Sequence, residues 1–180
     1  MKKVLFIHGA GMKGSHQENS ELILCLQKAF GKNNISNPKM PEPGNPKYTR
    51  WKEQIEKELM RLDSEVILIG HSLGGSVLLK YLSEETCTPR IAGLFIIAAP
   101  YWGKDKNWQS GEFILQENFH LNLPSIPQII FYHSSNDEVV PLVHQTHYLE
   151  KIQYAASRIL NDGHWFKKGL PELVNDIHRL

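Results

Sequence analysis

The chain has 180 residues, 41% of them hydrophobic and 22% charged, which fits one soluble globular domain able to bury roughly 70% of its unfolded surface. Its 20 basic and 19 acidic side chains leave a formal net charge of +1, so nothing marks a nucleic acid or an anionic membrane as a partner. Two cysteines, Cys25 in an apolar run and Cys87 near a helix end, read as reduced thiols of a cytoplasmic protein rather than a disulfide or a metal site. No apolar stretch approaches the ~20 residues of a membrane span.

In chain order, Lys2-Lys3 precedes the short apolar run 4–7, which meets His8-Gly9 at once and therefore reads as a first strand rather than a leader. Ser15 to Glu18 has capping-box spacing and opens a helix with Leu22, Ile23, Leu26, Ala29 and Phe30 inward, stopped near Gly31. Residues 37–46 are rich in Pro, Gly and Asn and predict a loop, with at most one edge strand near Ile35. Pro46 opens a second helix bearing Tyr48, Trp51, Ile55, Leu59 and Leu62 on one face. Strands are expected at 66–69, 91–98, 128–133 and 157–160, with helices at about 73–82, 141–152 and from Pro171 onward. This alternation predicts an α/β fold: a three-layer α/β/α sandwich around a mostly parallel sheet of about six strands. The whole chain, 1–180, is expected to form one domain. Residues 101–126 interrupt the pattern with Trp102, Trp108, Phe113 and Phe119, and read either as a small lid-like segment or as a crossover helix with core aromatics.

Gly70-His71-Ser72-Leu73-Gly74 is a G-x-S-x-G pattern lying between a predicted strand and a predicted helix. A serine hydroxyl needs exposure, a base and a site for the developing oxyanion, and a sharp strand-to-helix turn provides the first of these. Ser72 is thus the candidate nucleophile. An acid and then a histidine should follow in the chain. Asp137, just past the strand at 128–133, is the candidate acid, with Glu138 the near alternative. His164, in the loop after the strand at 157–160, is the candidate base, and Asp162 reads as a turn cap. The backbone N–H groups of Leu73 and Ala10 are the candidate oxyanion donors, Ala10 because it lies in the small-residue loop 8–14. Among the other histidines, His8 is expected to shape that loop and His71 to pack structurally. His144 and His147, three apart on a helix, lack companion ligands in a recognisable spacing and read as surface residues. No metal and no cofactor is expected. Trp102, Phe119 and Trp165 are candidate substrate-lining residues.

His8-Gly9 after the first strand, the Ser72 pentapeptide, Asp137 with Val140-Pro141, and Gly163-His164 together resemble the α/β-hydrolases over nearly the whole chain. The short length, the absence of a large cap, and Met40-Pro41 followed by a Trp51-bearing helix make it similar to the small serine hydrolases of the YdeN type, which include retinoblastoma-binding protein nine. The resemblance implies a minimal α/β-hydrolase fold and esterase-like activity on a small-molecule acyl substrate, with Ser72, Asp137 and His164 as nucleophile, acid and base. An acyltransferase or an amidase would use the same residues, and a binding protein with an idle triad would retain them. Retinoblastoma-protein binding is not expected. Ile23-Leu24-Cys25-Leu26-Gln27 lacks the Leu and the Glu of the Leu-x-Cys-x-Glu motif.

Overall fold

The structure, a computed structural model, describes residues 2–11, 20–62, 65–87 and 89–180. Its elements in chain order are β1 (Lys3–Ile7), α1 (Ser20–Phe30), β2 (Ile35–Ser36), α2 (Tyr48–Leu59), β3 (Val66–His71), α3 (Leu73–Glu84), β4 (Ile91–Ile97), β5 (Ile129–Ser134), α4 (Val143–Lys151), β6 (Ala156–Leu160) and α5 (Pro171–Ile177). The proposed capping box at 15–18 lies outside the described residues.

The strands β1, β3, β4 and β5 are nearly continuous apolar runs because both faces of the sheet are covered. Successive side chains point to opposite faces. Leu5, Ile7, Leu68, Leu94, Ile96 and Phe131 enter one core, which α2, α3 and α4 close. Val4, Phe6, Ile67, Ile69, Phe95 and Tyr132 enter the other, closed by α1 and α5. The result is the expected three-layer sandwich, with six strands in the order β2-β1-β3-β4-β5-β6 and every pair parallel. β2 and β3 flank β1 on opposite sides, so the chain reverses its direction of travel across the sheet there. Open α/β sheets bind ligands at such a reversal, outside the carboxyl ends of the strands.

Residues 101–126 contain no α-helix but two 3-10 turns, at Gly111–Phe113 and Phe119–Leu121. Phe113, Phe119 and Ile126 are buried in the core beside α3. Lys80 of α3 donates to the Ile114 carbonyl at 2.9 Å, and Glu112 accepts from Lys47 Nζ at 2.8 Å and from the Tyr48 N–H at 3.0 Å. This covering explains why α3 is buried almost all round rather than along one stripe. On the other face Asp176 of α5 accepts from the Tyr132 hydroxyl at 2.6 Å and from two nitrogens of Arg158 at 2.5 Å each.

Candidate active site

Four loops meet at the carboxyl ends of β1, β3, β5 and β6. At the end of β1, the His8 ring is buried and its tautomer is fixed by two bonds. Nε2 accepts the Met40 N–H at 3.0 Å, so Nδ1 carries the proton and donates to the Gly9 carbonyl at 2.7 Å. Trp51 packs edge-on to that ring at 5.9 Å and donates from Nε1 to the Pro41 carbonyl at 2.8 Å. Gly11 N–H reaches the Pro43 carbonyl at 2.9 Å. The Met40–Pro43 stretch and the Trp51 helix therefore brace the loop that carries Ala10, which is half-buried against the core.

β3 runs into Ser72, whose φ of 52° and ψ of −125° place a non-glycine residue in a sparsely populated region. The Ser72 N–H donates to the Ile97 carbonyl at 2.8 Å, anchoring the turn to β4. Two neighbours must lack a side chain for it to close. A Cβ on Gly74 would lie 2.2 Å from the Ile7 carbonyl oxygen, and one on Gly9 would lie 2.9 Å from Ser72 Cβ. The turn and the loop after β1 are thus in direct contact. Leu73 opens α3, so its N–H has no carbonyl to bond within the helix and lies in the positive end of the helix dipole.

After β5, Asp137 is capped by its own loop: Oδ1 accepts the N–H groups of Val139 at 2.8 Å and Val140 at 2.7 Å. Its Oδ2 lies 2.9 Å from His164 Nδ1, with Oδ1 at 3.1 Å. A carboxylate only accepts, so Nδ1 carries the proton and Nε2 presents its lone pair. Nε2 is buried and, among the described residues, has no hydrogen-bond partner. Burial pulls the Asp137 carboxyl upward, but the bond from His164 and the two backbone N–H groups outweigh it and hold the group below the usual carboxylate range.

The sequence motifs do not single out the supports of this arrangement. His133 Nε2–H donates to the Val140 carbonyl at 2.7 Å and lies 3.4 Å from Asp137 Oδ2, closing the acid loop. The Ser134 hydroxyl accepts the N–H groups of Asp162 and Gly163, both at 2.9 Å, and donates to Asn136 at 2.6 Å. These bonds stitch the acid loop to the histidine loop. Glu138 contacts the main chain of His164, not its ring, accepting the His164 N–H at 3.1 Å. Asp162 accepts the Lys168 N–H at 3.2 Å, a turn contact.

The model of the family described as serine hydrolase matches residues 11–170. The chain belongs to that family. Among solved structures, this serine hydrolase resembles the ydeN gene product of B. subtilis with a TM-score of 0.75 at 19% identity, over 99% of its own length and 98% of that chain. It also resembles the meta-cleavage product hydrolase CumD of Pseudomonas fluorescens, with a TM-score of 0.72 at 16% identity, over 99% of its own length and 88% of that chain. At such identities the likeness establishes the α/β-hydrolase fold. No curated protein matches the chain.

Two expectations need correction. Phe119 is fully buried beside α3, so its ring is core and has no surface to offer a substrate. His144 is not a surface residue. It is 0% exposed, accepts the Tyr101 N–H on Nδ1 at 2.9 Å, and stands edge-on to Trp108 at 5.5 Å. Trp102 is half-buried against Trp108 and Phe113, and half-buried Trp165 stands edge-on to His164 at 4.7 Å. Among the described residues no group of His, Cys, Asp and Glu could hold a metal ion, and no helix is long and apolar enough to cross a membrane.

Proposed function

We propose that this serine hydrolase cleaves small acyl esters through an acyl-serine intermediate, with Ser72 as nucleophile, His164 as base and Asp137 as the acid that orients it. The observation that carries the reading is the 2.9 Å bond from His164 Nδ1 to Asp137, which leaves a buried Nε2 lone pair. The strained Ser72 turn in contact with the loop after β1 supports it further.

In this mechanism Ser72 Oγ bonds to the ester carbonyl carbon while its proton passes to His164 Nε2. The N–H groups of Leu73 and Ala10 receive the charge on the carbonyl oxygen. Collapse breaks the carbon–oxygen bond to the alcohol, which leaves with the proton from Nε2. Water then attacks the acyl-serine, returning a proton through Nε2 to Ser72 Oγ and releasing the acid. Asp137 keeps its charge throughout and stabilises the imidazolium that forms between the two proton transfers. Trp165, half-buried at the base, and Trp102 are the aromatics available to an apolar acyl or alcohol group.

A fluorophosphonate probe and short-chain p-nitrophenyl esters test this directly. Wild type should label and turn over. Ser72→Ala should abolish labelling and lower kcat by at least about 10³-fold, and Asp137→Asn should lower kcat by about 10³- to 10⁴-fold by imposing the wrong tautomer. Labelling that survives Ser72→Ala, or a wild type that neither labels nor turns over, would overturn the reading. The second result would favour a binding protein on this fold.

A further inference from the structure

His164 is tied at three points, and only one of them is its ring. Asp137 holds Nδ1. Glu138 Oε2 holds the main-chain N–H at 3.1 Å. The main-chain carbonyl accepts from His71 Nε2 at 2.9 Å, a buried bond spanning 93 positions of sequence. A carbonyl can only accept, so His71 carries its proton on Nε2 and presents the Nδ1 lone pair toward the Gly9 side, where a Gly9 Cβ would lie 3.6 Å from it. The His71 and His164 rings pack 4.9 Å apart, tilted by 48°. His71 is the residue immediately before the nucleophile, and its ring is fully buried.

From this geometry, and resting on the function proposed above, we propose that His71 is a positioning residue for the base, transmitting the placement of the Ser72 turn to the His164 main chain, with Glu138 fixing the opposite side of the same residue. The physical need is clear. Nucleophile and base lie on loops from β3 and β6, separated in the sheet by β4 and β5. Displacing a reacting group by about 1 Å can cost about 10²-fold in rate. Asp137 fixes the ring only relative to the β5 loop. The His71 bond is the tie that runs from the residue beside Ser72 itself to the base. It must also survive the catalytic cycle, in which His164 becomes an imidazolium 4.9 Å away. A second cation there would repel it. Burial pushes the His71 imidazole down to about 3, so the ring remains a neutral single donor while its neighbour charges and discharges.

Three substitutions separate this role from plain packing. His71→Phe keeps ring volume and loses the donor. His71→Gln keeps an N–H donor at nearly the reach of Nε2. His71→Asn keeps a donor but falls short. With p-nitrophenyl esters, His71→Phe and His71→Asn are expected to lower kcat by about 10- to 100-fold with KM within about twofold, while His71→Gln recovers most of the loss. Glu138→Ala should lower kcat in the same sense, and Glu138→Gln, which still presents an acceptor, should restore it. Thermal unfolding run alongside shows whether each variant is folded at the assay temperature. If His71→Phe does not fold, the Gln-against-Asn difference in kcat decides alone. Wild-type turnover with equal kcat in all three His71 variants would overturn the positioning role and leave the Ser72 mechanism standing. So would a loss that the Gln variant does not recover. Absence of wild-type turnover would overturn both.

Discussion

At Ser72 the chain accepts a backbone conformation that costs of order 1–3 kcal/mol and keeps it because every neighbour leaves no alternative. The N–H is held by Ile97, the following turn has only glycine-sized space against Ile7, and Gly9 lies against the side chain. This crowding makes Gly9→Ala an informative substitution. The new methyl would sit 2.9 Å from Ser72 Cβ, closer than real contacts allow, so Ser72 or the loop after β1 must shift. The expected result is a fall of about 10- to 100-fold in kcat toward p-nitrophenyl esters, with a stability loss of about 1–3 kcal/mol as in other overpacked sites. An unchanged kcat would mean that the loop carrying Ala10 does not bear on the nucleophile. Sequence alone offered Ser72, Asp137 and His164 as candidates through the G-x-S-x-G pattern and the order of acid and then histidine in loops after predicted strands. It could not reveal that Glu138 grips the backbone of His164 rather than its ring, since adjacent carboxylates read alike until the loop is folded.

At the scale of elements, legibility followed periodicity. The strands β1, β3, β4 and β5 stood out because burial on both faces forces nearly continuous apolar runs. β2, the edge strand allowed near Ile35, is two residues paired at the edge of β1, too short to carry an alternation of its own. α4 misled for a physical reason: it buries His144, Gln145 and Tyr148 while Val143 stays exposed, so polar side chains face inward. His144 is accommodated there by a backbone donor and an indole neighbour. Residues 101–126 have the aromatic content of a helix face without its spacing, because their partner is the outer side of α3 rather than the sheet. The test of that packing is Phe119→Ala. Deleting a fully buried ring should cost about 3–5 kcal/mol in urea unfolding, while KM for short-chain esters stays unchanged. A raised KM with wild-type stability would return Phe119 to the substrate pocket.

For the whole molecule, acid pH should erode stability well before the carboxylates are protonated. Burial pushes the imidazoles of His71, His133 and His144 below their usual value, His71 to about 3. In the unfolded chain each returns to about 6.5. Below that pH the unfolded state therefore binds more protons than the native one, and folding free energy falls as pH falls. The stabilisation is complete above about 6.5, and for His71 the loss continues to about pH 3. Each such group steepens the dependence by up to about 1.4 kcal/mol per pH unit. Asp137 and Asp176, held low against the pull of burial by His164 and by Arg158 with Tyr132 respectively, add to the loss only at lower pH, where their unfolded counterparts take up protons. Urea midpoints measured from pH 7.5 to 4.5 should therefore hold level to about pH 6.5 and decrease below it. The slope in His71→Phe should be shallower than in wild type by about one proton's worth, whatever that substitution does to stability at neutral pH. Midpoints that stay flat to pH 4.5 would contradict the buried neutral histidines. A slope unchanged by the substitution would mean that His71 titrates alike in both states, against the desolvation that its burial imposes.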